Sequence, residues 1–189
     1  ATTIPSLAAG FVALVVVVGM LSLIEPPSNP TWLALLALTP GFLSAMSRPG
    51  LLGFLDDSRA GDWWNAQNGE PMQMSNLLFA SLVPLFISFL SVGLVVGEFT
   101  PASLFAIVGI GVASFGSARI HALESTLPRQ GTAFVILLQV ALVWPLLLLV
   151  DFMTMDAATI AGSDAQIHLL QALAIPLAIW FLVPLIAPE

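Results

Sequence analysis

Between Arg129 and Asp151 the chain reads GTAFVILLQVALVWPLLLLV (residues 131–150), an interval without a single charge. At 1.5 Å per residue, a helix over this interval is about 30 Å long, the thickness of a bilayer's hydrocarbon. Gln139 alone brings a long polar side chain into it. The interval reads as a membrane-spanning helix, and the rest of the chain follows when it is parsed in the same way, from one charge to the next.

Five further apolar intervals result: residues 101–118 before the first one, residues 166–186 after it, and residues 76–97, 32–46 and 7–24 toward the N-terminus. The predicted fold class is an all-α integral membrane protein, a bundle of six transmembrane helices in one polytopic domain over residues 1–189. The second and sixth intervals are short or contain proline. The N-terminal interval, residues 7–24, is expected to be retained, not cleaved as a secretory signal. It has no basic leading region, its apolar run is long, and Glu25-Pro26-Pro27 is not a small-residue cleavage site. Residues 47–75 form the longest and least hydrophobic connection. They hold an apolar island at Leu51, Leu52, Gly53, Phe54 and Leu55, then Asp56, Asp57, Arg59, Asp62, Trp63 and Trp64. Tryptophan favours the headgroup level, so this loop is expected to lie along the membrane surface.

Composition agrees with this parsing. Of 189 residues, 58% are hydrophobic and 8% are charged, and the mean hydropathy is +1.01. A soluble domain carries about three times that charged fraction. The net charge of -7, with four Arg and no Lys, argues against nucleic acid as a partner, since little here could displace counterions from a phosphate backbone. Cysteine and tyrosine are absent as well, so there is no disulfide, no thiolate metal site and no thiol nucleophile. Only two His have an unperturbed pKa near neutrality.

The charges also orient the bundle. Arg48 and Arg59 fall between the second and third helices, and Arg119 and Arg129 flank the loop between the fourth and fifth. The remaining loops carry only acids: Glu25, then Glu98, then Asp151, Asp156 and Asp164. Arginine near helix ends stays on the cytoplasmic side, which places both termini there, or on the equivalent n-side of an organelle membrane.

Helices in lipid associate through close backbone approach, and small residues mark where. Gly93 and Gly97 form a GxxxG pair in the third helix; Gly109, Ala113 and Ser117 line one face of the fourth, with Gly116 beside them. These positions are expected to pack helices of the same chain or to form an interface with another subunit. Prolines at 40, 84, 145, 176 and 184 fall inside or near the ends of the helices. Their spacing allows two three-helix halves in inverted orientation, a transporter geometry. No Asp, Glu, Arg or His lies at the centre of a span, however, where ion-coupled transport commonly needs one. Gln139, near mid-depth, reads first as an interhelical hydrogen-bond donor.

The most polar constellation is Ser117, Arg119, His121, Glu124 and Arg129 at the inner end of the fourth helix. His121 and Glu124 are three apart and share a helix face, so the carboxylate could orient the imidazole. The alternatives are an interfacial ion network closing a helix end, a metal or pigment ligand with a supporting acid, and an acid–base site. His168, with Asp164 one turn before it, belongs to the opposite face of the membrane. The two His therefore cannot be paired axial ligands of one haem or ligands of one zinc. Each can still serve a chlorophyll-type pigment, which needs one axial ligand, or a lipid headgroup. No HExxH, P-loop, GxSxG, GxGxxG or CxxC motif is present. Asp56, Asp57 and Asp62 lack catalytic spacing and read as surface charge.

The sequence thus points to a non-catalytic, multi-pass subunit of a larger complex in an energy-transducing membrane, photosynthetic or respiratory. Its expected partners are membrane lipids and other integral membrane subunits, and its candidate cofactor-binding residues are His121 and His168. The alternative is a small-solute transporter or channel built from inverted three-helix repeats.

Overall fold

The computed structural model describes residues 4–24, 27–47, 74–126 and 132–186. Among these residues every regular element is a helix, as expected of a chain whose backbone must satisfy its own hydrogen bonds away from water. The interfacial loop expected over residues 47–75 lies, apart from its two ends, outside the described residues, as do Arg48, Arg59 and Arg129.

The first helix, α1 (Ile4–Leu23), is followed by α2 (Pro30–Met46). The start of α2 follows from its sequence. The Asn29 side chain accepts the Thr31 N–H at 2.9 Å, and Pro30 occupies the first helical position, where its missing donor costs nothing. The third helix, α3 (Met74–Val95), ends two residues before Gly97, whose φ of 81° is the left-handed conformation that glycine adopts without strain. Its N–H reaches the Val92 carbonyl at 3.3 Å and ties off the helix end. The fourth, α4 (Pro101–Thr126), opens on a reciprocal cap. Ser103 N–H donates to the Thr100 hydroxyl at 3.1 Å while Thr100 N–H donates to the Ser103 hydroxyl at 2.9 Å, so two otherwise orphaned donors are satisfied. This helix runs about two turns beyond residue 118 and carries Arg119 and His121 within it.

The uncharged stretch between Arg129 and Asp151 forms one rod in two pieces, α5 (Thr132–Ala141) and α6 (Val143–Met153), interrupted at Leu142. Pro145 explains the break. It has no N–H to return to the carbonyl of Ala141, and its ring crowds that carbonyl. At the break the Leu142 N–H turns instead to the Gln139 carbonyl, at 3.1 Å. A single turn, α7 (Ala157–Ile160), leads to α8 (Ser163–Ile186).

Contacts along the rods fix their directions. Gly10 of α1 meets Ser44 of α2 and Ile87 of α3; Gly111 of α4 meets Leu85 of α3; Gly109 and Gly116 of α4 meet Leu149 and Leu142 of α6–α5. Successive long rods therefore run antiparallel. One end of the bundle joins Met46 of α2 to His121 of α4, and the other gathers Ala102, Phe152 and Ala165. Helix α4 is the hub, packed on α2, α3, α6 and α8, whereas α1 packs chiefly on α2 and α3, within its own half. Among the described residues, α2 and α3 both lean on α4, and α1 has no comparable seat on α6 or α8.

Among the described residues, three rods are long and apolar enough to cross a membrane: Pro101–His121, Ala133–Met153 and Ser163–Val183. Their burial within the chain falls from 72% to 39% to 28%, which places α4 at the centre and α8 at the rim. In α1, α2 and α3 the apolar stretches Leu7–Leu23, Pro30–Met46 and Ser81–Val95 are shorter. Large apolar side chains face outward on both groups, Val12 and Phe86 as well as Leu137, Leu170 and Phe181. The interior combines large residues such as Leu38, Ile110 and Phe152 with small ones such as Ala37, Ala106, Ser88 and Ser91. A surface as apolar as the interior departs from the pattern of a water-soluble domain and suits a lipid environment, where close packing draws helices together. Lipid contact is the natural role of the outward surface.

Candidate functional site

The polar constellation at the end of α4 does not converge on one point. Residues two apart on a helix lie about 200° apart around its axis. His121 accordingly faces α2, and Arg119 faces α8. His121 is buried, with Nε2 2.9 Å from the carbonyl oxygen of Met46, the last residue of α2. A carbonyl only accepts, so this nitrogen carries the proton and the imidazole donates. The contact satisfies one of the orphan carbonyls at a helix C-terminus, where the helix dipole is negative and a donor is favoured.

Arg119 lies with its guanidinium carbon 4.1 Å from the centroid of the Trp180 ring of α8. Phe115, one turn earlier on α4, meets the same indole edge-on at 6.1 Å between centroids, and Ala118 completes the cluster. A cation over an indole face is stabilised by the ring's quadrupole, more strongly where water is excluded. Trp180 was not singled out in the sequence. The available signal was Phe115 and Arg119 on one face of α4, which calls for an aromatic or acidic partner without naming it. Ser117 is buried in α4. Glu124 lies in the final turns of α4, but its side chain falls outside the described residues, as does the whole of Arg129.

Gln139 lies on the face of α5 that turns toward α4. It falls in the row Val135, Leu142, Leu146 and Leu149, and Leu142 and Leu149 meet Gly116 and Gly109 of α4. Leu142 is level with Gly116, so Gln139 stands one turn closer to the Arg119 end. It is half-buried.

At the opposite end, His168 of α8 pairs across the hairpin with Asp151 of α6, and not with Asp164 of its own helix. Nδ1 and Oδ2 are 2.9 Å apart, yet the nitrogen is without an aligned hydrogen-bond acceptor. The distance fixes proximity; the ring's orientation makes the contact electrostatic rather than a directed hydrogen bond. Asp151 is exposed and His168 is half-buried. Among the described residues, no group of three or more His, Asp or Glu is placed to hold a metal ion.

The glycines expected to mark packing divide by role. At Gly109 a Cβ would come 2.6 Å from Leu149, and at Gly116 it would come 3.2 Å from the backbone of Pro176, so this stripe of α4, with buried Ala113, seats α6 and α8 of the same chain. Gly93 faces Phe99, whose ring stacks on Phe89 at 4.4 Å. Gly97 has open space around it and acts as the helix stop described above.

One seam was not anticipated. Ser81, Ser88 and Ser91 of α3 and Ser44 of α2 are all buried, and Gly41 of α2 presses directly on the Ser88 side chain. Most hydroxyls in the bundle bond back to their own helix, as Thr39 does to Leu35 and Ser114 to Gly111. The hydroxyls of Ser88 and Ser91 have no such partner.

Comparison with known proteins returns no match: no family model fits the chain, and neither a curated protein nor a solved structure is significantly similar.

Proposed function

We propose that this chain is a non-catalytic, multi-pass membrane subunit in which all six rods cross the bilayer and whose polar side chains hold the scaffold together. The reading is carried by one observation. Each described ionisable side chain among the candidates bridges two helices: His121 joins α4 to α2, Arg119 joins α4 to α8, and His168 joins α8 to α6. Groups used as joints are oriented by the fold itself and not by a substrate.

The same geometry supports an orientation with both termini on the cytoplasmic or n-side. Arg119 shares its end of the bundle with Met46, two residues before Arg48, while Asp151 and Asp164 occupy the other end with Phe152 and Ala165. Retention of arginine on the n-side would then place that end inside. An energy-transducing membrane remains the proposed setting. Within it, a pigment or lipid headgroup would use His168, since Nε2 of His121 is committed to Met46. The asymmetric seating of the two halves on α4 weighs against the inverted-repeat transporter.

Extraction in mild detergent followed by native mass measurement tests the subunit reading. A particle containing this chain with other integral membrane polypeptides is expected. A particle made of this chain alone, without pigment, overturns it.

A further inference from the structure

On the outward side of the α5–α6 rod, two polar groups sit where a bilayer has nothing to offer them. Trp144 is 56% exposed. It lies near the middle of the membrane-length stretch Ala133–Met153, about 16 Å from its start and 14 Å from its end at 1.5 Å per residue. Exposed tryptophans of membrane proteins gather at the headgroup level, where the indole N–H finds an acceptor. Trp32, exposed at the first turn of α2, follows that habit; Trp144 does not. Its N–H has no hydrogen-bond partner among the described residues. One turn before it, exposed Ala141 carries the carbonyl that Pro145 cannot bond. A donor and an acceptor thus stand three residues apart on one outward face, at mid-depth, in a medium without hydrogen-bonding groups.

The geometry points to a second copy of this chain as the occupant of that face, in a two-fold pair with its axis along the membrane normal. The argument is self-complementarity. A two-fold interface presents the same patch twice, so a patch holding both a donor and an acceptor can satisfy both in one arrangement. An axis along the membrane normal keeps the two rods parallel, with like residues at equal depth. Side chains on a helix lean toward its N-terminus, so each Trp144 indole is carried back toward the level of Ala141, about 4.5 Å away along the axis. The indole of one copy then donates to the Ala141 carbonyl of the other, and the reverse. Val140 and Leu147, both exposed, flank the contact with apolar surface. The inference rests on α5–α6 spanning the membrane and not on the presence of other subunits.

The chain has no cysteine, so a single introduced thiol reports the contact without background. Val140→Cys in native membranes, oxidised with copper phenanthroline, is expected to give a covalent dimer of twice the chain mass. Leu182→Cys, equally outward on α8, is expected to remain monomeric. Adding Trp144→Phe, which keeps the ring and removes the N–H, should lower the dimer yield by about three- to fifteenfold, the range for loss of interhelical hydrogen bonds in lipid. Equal dimer from both cysteines means random collision and overturns the proposal. So does a Val140→Cys adduct with a different polypeptide, or a dimer indifferent to Trp144→Phe. The two readings fail separately. A mixed particle with no Val140 dimer sinks the pairing alone, whereas a covalent dimer in a particle holding only this chain sinks the mixed assembly alone.

Discussion

The α2–α3 crossing should be the least tolerant point of the bundle, and Gly41→Ala measures it. A Cβ built at Gly41 overlaps the Ser88 hydroxyl oxygen, lies 2.9 Å from Ser88 Cβ and 3.1 Å from its Cα. Rotation of the side chain could move the hydroxyl, but Cβ and Cα move only with the helix. Alanine in a helix interior gains about 1 kcal/mol over glycine. Overpacking a fitted contact costs about 1–3 kcal/mol, and the upper part of that range applies where backbone must shift. A net loss of about 1–2 kcal/mol is expected, a five- to thirtyfold change in the folded ratio. Gly19→Ala supplies the reference, because nothing lies within 4 Å of a Cβ there and only the propensity gain remains. Reversible unfolding by SDS in mixed micelles, followed by circular dichroism, reads both variants. Adding Ser88→Gly to Gly41→Ala removes the opposing Cβ, and the double variant should stand at least about 1 kcal/mol above the sum of the singles. If Gly41→Ala unfolds with Gly19→Ala, or if Ser88→Gly gives no rescue, the helices do not meet as closely as described and the reasoning fails.

Other outcomes follow from the same contacts. Ser91→Ala removes a buried hydroxyl without a partner, so stability should be unchanged or higher by up to about 1–3 kcal/mol, and a loss above about 1 kcal/mol would show that the hydroxyl is bonded. His121→Leu should cost about 1–2 kcal/mol by orphaning the Met46 carbonyl, and hydrogen exchange should quicken in the last turn of α2 while α8 stays protected. Trp180→Leu removes the ring beneath Arg119 and should destabilise by about 2–4 kcal/mol, more than Trp180→Phe, which keeps an aromatic face. Pro145→Ala should restore a continuous rod, seen as slow exchange at the new amide of residue 145.

The all-helical class, the apolar intervals and several helix ends were legible in the residues because they follow a local rule. A backbone without water must bond to itself, so an uncharged run of sufficient length is a helix wherever it sits. Asn29-Pro30 and Thr100-Pro101 announce helix starts, and Pro145 a break, for equally local reasons. Gly97 shows the limit of spacing alone, since GxxxG suggested a packing face and the positive φ made it a stop.

Partnership was decided by tertiary structure. Arg119 and His121 belong to one polar run, but the helix turns them to opposite sides, and the neighbour on each side determines that one finds an indole and the other a carbonyl. His168 had an acid one turn away in its own helix, yet the hairpin brought Asp151 closer. Ser88 and Ser91 looked like ordinary helix serines until Gly41 was seen pressed against Ser88. Hydrogen bonds along a helix depend on residues four apart, whereas contacts between helices depend on register and rotation, which no single interval encodes.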